Sequence, residues 1–130
     1  MLVRTALVAG LSVLALSACA KRTLPPGGQG VCWHVVKDKS GELKFNKLKS
    51  DVPTLEHCAA ELESMRVRFL RMGGTAREVT GAYMGNFIFV ERQGIFTAPS
   101  LEEHPYLALV RTGDGRLAVP GAMPREPAPQ

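Results

Sequence analysis

The chain has only three cysteines, three histidines and one tryptophan in 130 residues, and these scarcities narrow its chemistry. Cysteine never occurs as Cys-x-x-Cys, so the spacing of a redox-active pair is missing. Gly-x-Ser-x-Gly, His-Glu-x-x-His and a phosphate-binding loop are also missing, which removes the local signatures of serine hydrolases, zinc proteases and nucleotide-binding proteins. Ser40, Ser50, Ser64 and Ser100 have no neighbour that marks a nucleophile. The positive excess is small, 16 Lys and Arg against 12 Asp and Glu, too little to argue for nucleic acid. No internal repeat is present. The longest uncharged run, from Thr5 to Ala20, is shorter than the about 20 apolar residues of a membrane span.

That run is nevertheless informative. Arg4 precedes it, and small residues close it within Leu16-Ser17-Ala18-Cys19. Its length and flanks are those of a secretory signal peptide over residues 1–18. Leu16-Ser17-Ala18-Cys19 resembles the lipobox of bacterial lipoproteins. The resemblance implies diacylglyceryl and fatty-acyl (palmitate-type) modification of Cys19, cleavage before it and stable anchoring by several acyl chains. A plain signal peptide ending at Ala18 or Ala20 is the alternative. Ala20 and Lys21 follow Cys19 where the class carries Asp for inner-membrane retention, so the resemblance implies the outer membrane, facing the periplasm. The mature part is similar to small uncharacterised lipoproteins of alphaproteobacterial type around Thr80-Gly81-Ala82-Tyr83 and Arg111-Thr112-Gly113-Asp114-Gly115. No activity follows from that similarity.

With Cys19 acylated, Cys32 and Cys58 remain, and an even pair in an oxidising compartment suggests a disulfide. Residues 19–30 include Pro25-Pro26-Gly27-Gly28 and read as a flexible tether. Residues 31–121 are the expected domain, and residues 122–130 a Pro-rich tail. A core this small is marginal without a covalent staple.

Val31 to Lys37 and Leu43 to Lys49 read as a hairpin around Asp38-Lys39-Ser40-Gly41. Leu55, Cys58, Ala59, Leu62, Met65, Phe69 and Met72 recur at helical spacing. Thr54 or Asp51 can cap that helix, and Gly73-Gly74 ends it. Arg77 to Val90, Ile95 to Thr97, Tyr106 to Arg111 and Arg116 to Val119 read as further strands. The expected class is α+β: an antiparallel sheet of five or six strands, β-β-α-β-β-β-β, with one long helix on one face. A Cys32–Cys58 bond places Cys32, His34 and Val36 towards the helix and Trp33 and Val35 away from it. Tyr83, Phe87 and Phe89, and likewise Leu107 and Leu109, are expected to share a face.

Such strands are apolar on both faces, and one helix covers only one. The other face is covered by sheet curling, by the loops and tail, or by a partner. Trp33, Phe87 and Phe89 are therefore candidate contacts with an envelope protein. The leading expectation is a non-enzymatic interaction module on a lipid anchor, with no cofactor. A small apolar ligand inside a curled sheet is the alternative. A hydrolase using His104 with Glu102 or Glu103 is a third reading, against a solvated loop before Pro105. Cys32-x-His34 and His57-Cys58 hold zinc-ligand types at spacings that match no zinc signature. Lys37, Lys39, Lys44, Lys47 and Lys49 either meet anionic envelope components or discourage edge-to-edge pairing.

Overall fold

The computed structural model describes residues 22–121. The leader, Cys19 and the Pro-rich tail lie outside the described residues. Seven strands and one helix follow in the order β1 (Cys32–Lys37), β2 (Leu43–Lys49), α1 (Leu55–Arg71), β3 (Val79–Tyr83), β4 (Asn86–Val90), β5 (Ile95–Ala98), β6 (Tyr106–Arg111) and β7 (Leu117–Ala118). The sheet order is β2-β1-β3-β4-β5-β6-β7, with every neighbouring pair antiparallel. The α+β class and the single helix are as the sequence implies. Because β1 lies between β2 and β3, the chain leaves the edge strand, crosses β1 as α1 and returns as β3. No helix among the described residues is long and apolar enough to cross a membrane.

Local chemistry sets the ends of α1. The Thr54 side chain accepts from the His57 amide at 3.3 Å, satisfying one amide with no intrahelical partner. Glu56 lies in the first turn and Arg68 and Arg71 in the last, matching the helix dipole. At the far end Gly73 takes φ +83°. Its amide donates to Leu70 O and the Gly74 amide to Phe69 O, a Schellman arrangement. Cys58, Ala59, Leu62 and Met65 are buried, whereas Phe69 and Met72 are exposed. The apolar stripe therefore outlasts the sheet beneath it.

Two of the expected strand phases change. Arg77 to Val90 is a hairpin, not one strand. Met84 and Gly85 both have positive φ, 43° and 79°, as a two-residue type I′ turn requires. Tyr83 pairs with Asn86, and Ala82 with Phe87. The turn resets the alternation, so Tyr83 lies on the helix face with Ile88 and Val90, opposite Phe87 and Phe89. A bulge between Ile95 and Phe96 then pairs Ile95 with Leu109 and Phe96 with Leu107. Ala108 and Leu109 both join the helix-side core, and Leu107 turns away from Leu109. An inserted residue breaks the two-residue period.

The helix-side core contains Cys32, Leu62, Met65, Tyr83, Ile88, Val90, Ile95 and Leu109. The Tyr83 hydroxyl donates to Val52 O at 2.6 Å and pins the β2–α1 connector to the sheet. Val35, Ala82 and Phe87 form a second core on the other face, with Trp33, Leu43, Phe45 and Phe89 around it. Phe45 on β2 and Phe87 on β4 are three strand positions apart, about 14 Å in a flat sheet. Their ring centroids are 6.3 Å apart. The sheet curls around its second face and covers Phe87 with its own side chains.

The sheet stays open, and both edges are blunted. Exposed Lys44, Lys47 and Lys49 line β2, and β7 is two residues long. Short or lysine-bearing edges resist pairing with another chain. The expected flexible tether departs from the sequence reading. From Arg22 onward it is docked, with Pro25 buried and Gly30 O accepting from the Val52 amide at 2.8 Å.

Candidate functional site

Cys32 and Cys58 are bonded, with Cα atoms 5.3 Å apart. The bond joins the start of β1 to the first turn of α1 and is fully buried. Both thiols are thereby consumed, and His34 and His57 gain no thiolate partners. His34 is half-buried, and burial lowers its pKa. The ring Nδ1 of His57 lies 2.7 Å from Thr54 Oγ1, at the helix cap. Among the described residues no group of three or more His, Cys, Asp and Glu side chains is placed to hold a metal.

The proposed apolar contacts are placed differently from one another. Phe87 is 0% exposed, so it is a core residue and no contact surface. Trp33 and Phe89 are half-buried beside it. The inside of the curl is filled by these rings, which is the bland outcome for a two-faced apolar strand. The Glu102-Glu103-His104 loop also has structural work. Glu102 accepts from the Thr23 amide and hydroxyl at 2.9 and 2.7 Å, and these bonds lower its pKa. Glu103 pairs with Arg22 at 3.0 Å, and His104 is exposed.

Among the described residues a concavity lies elsewhere, between the outer flank of α1 and the β6–β7 hairpin. It has a volume of about 680 Å³. Its lining combines apolar Ala60, Val67 and Leu117 with the cations Arg68, Arg71, Arg111 and Arg116 and the carboxylates Glu56 and Glu63. Helical spacing puts Ala60, Ser64, Val67 and Arg71 on one flank of α1. The hairpin supplies the other wall. There Asp114 accepts from the Thr112 hydroxyl and from the Arg116 amide at 3.1 Å, and the hydroxyl bond leads in lowering its pKa.

Glu63 joins the two walls. Arg111 reaches it through Nε and a terminal nitrogen at 2.7 and 2.9 Å. Arg66 does the same from α1 at 2.8 and 2.9 Å. Burial pushes the Glu63 carboxyl up, but the hydrogen bonds and charges of Arg111 and Arg66 outweigh that and hold it down at about 2. The carboxylate therefore stays ionised at neutral pH. Arg111 also donates to Arg92 O at 3.0 Å. The paired forks fix Glu63 and Arg111 in place, while Arg68 and Arg71 face solvent without an acidic partner among the described residues. Sequence reasoning missed this cluster. Glu63 and Arg66 carry an i, i+3 signal, but Arg111 is 48 residues away and only the fold brings it in. Comparison of the chain with protein-family models, curated proteins and solved structures finds no match.

Proposed function

We propose that this chain is a non-enzymatic envelope lipoprotein. It is anchored through acylated Cys19 to the periplasmic face of the outer membrane, and it binds an acidic envelope component in the groove between α1 and β6–β7. The observation that carries the binding assignment is the excess of arginine, four against two glutamates, in the groove lining. Two of its guanidinium groups, Arg68 and Arg71, are uncommitted, and a third, Arg111, is fixed by Glu63. Guanidinium forks suit carboxylate and phosphate oxygens. The Cys32–Cys58 bond supports the oxidising address. The packed second sheet face gives less support to an apolar ligand or to docking through Phe87.

Photocrosslinking from Ser64, which lines the groove, tests this in cells making the full-length protein. The expected result is a discrete adduct that is lost in an Arg68→Glu, Arg71→Glu variant that remains folded and anchored. An unchanged adduct in that variant, or none from Ser64 at all, overturns the groove as the binding site.

A further inference from the structure

We infer that one end of the sheet is a membrane-contact foot. In this arrangement Leu24, Leu101 and Tyr106 rest in the head-group region of the same bilayer that holds Cys19, and residues 22–30 form a strap that sets the domain's orientation. The inference rests on the acylation of Cys19 proposed above. Its physical basis is the shortness of the free leash.

The strap is fastened along its length. Arg22 pairs with Glu103 at 3.0 Å. The Thr23 amide and hydroxyl donate to Glu102 at 2.9 and 2.7 Å. Thr23 O accepts from the Leu101 amide at 3.3 Å, Pro26 O from the Gly85 amide at 3.3 Å, and Gly30 O from the Val52 amide at 2.8 Å. Arg22 is three residues from Cys19, and three residues reach about 11 Å at most. The end of the domain that holds Arg22 is thereby kept against the bilayer.

Three large apolar side chains are exposed at that end, beside the exposed Arg22, Glu102 and His104. Leu24 is 64% exposed, Tyr106 63% and Leu101 37%. Leu101 lies in the loop on which the strap docks, and Tyr106 opens β6 directly after that loop. A tyrosine, with an apolar body and a polar tip, suits the membrane interface. Of the charges nearby, Arg22 is paired with Glu103, and the Glu102 carboxylate keeps its charge while bonded to Thr23. The three contact residues carry no charge, so salt does not release the contact.

The test uses full-length acylated protein in vesicles of phosphatidylethanolamine and phosphatidylglycerol. A Tyr106→Trp probe in a Trp33→Phe background is quenched by brominated acyl chains. A Lys39→Trp probe in the same background, in the distant β1–β2 turn, is not quenched. The contrast persists in 0.5 M salt. Equal quenching at the two positions, in protein that floats with the vesicles, overturns the foot and leaves the anchor standing. Protein that does not float overturns the anchor, and the foot with it. Hydrogen exchange on the unsubstituted protein avoids any folding defect. Amides of residues 101–106 slow on vesicles relative to Cys19→Ser protein in solution, while those of residues 38–41 do not. Equal exchange in the two states counts as a second refutation.

Discussion

Gly81 on β3 packs directly against Leu62 of α1. A Cβ there would meet the Leu62 side chain and approach Trp33 O at 2.8 Å. The leucine tip can move, but the backbone oxygen is held in the β1–β3 ladder. Gly81→Ala should therefore destabilise the domain by about 1–3 kcal/mol, read as a lower urea midpoint at an unchanged slope. A glycine inside a strand marks a close approach of another element, and Gly81 serves that role. Glu63 has no such mark, because its second cation arrives from a remote strand. Its pKa in the folded chain, about 2, lies below the ordinary 4.5. The sign follows: its contribution is complete above pH 4.5 and is lost as pH falls towards 2. Acid titration of wild-type stability should show a drop on the order of 2–3 kcal/mol across that window. Glu63→Gln should start lower at neutral pH and show a flatter acid limb.

At the scale of elements, the sequence is clearest where one period runs unbroken. α1 and β2 end where their caps and turn residues place them, since Thr54, Gly73 and the Asp38–Gly41 turn act locally. The β3–β4 hairpin is hidden because Met84-Gly85 is a poor advertisement for a type I′ turn, and Met84 bears φ 43° against its own preference. Met84→Asn should relieve that conflict and raise stability by about 0.5–1 kcal/mol, visible as a higher Tm. The bulge opposite Ile95 is equally silent, because Tyr106 to Arg111 is apolar at most positions and carries no phase of its own. The disulfide closes the loop from β1 to α1 with a sequence separation of 26. Its reduction should cost about 3.5 kcal/mol in the chain-entropy account. A matching fall in the denaturation midpoint on adding reductant checks this, and Cys32→Ser, Cys58→Ser should reproduce it without reductant.

For the whole molecule, the decisive geometry is the curl. It lets a single sheet own two cores, one under α1 and one around Phe87, and so removes the large apolar face that the strand pattern predicts. Chain alternation shows that both faces are apolar, but curvature depends on all seven strands together and has no local signature. The groove likewise exists only because β6–β7 ends beside α1. Two surfaces available to partners are the charged groove and the end of the sheet that carries Arg22. Both assignments depend on the protein being exported and held at a membrane through Cys19. Intact-mass and peptide mass spectrometry of the protein extracted from native membranes, with free thiols alkylated first, tests that most directly. The account predicts an amino terminus at Cys19 bearing a diacylglyceryl group and an additional acyl chain, with Cys32 and Cys58 unalkylated and joined. An intact Met1, an unmodified terminus beyond Cys19, or alkylated Cys32 and Cys58 would contradict it.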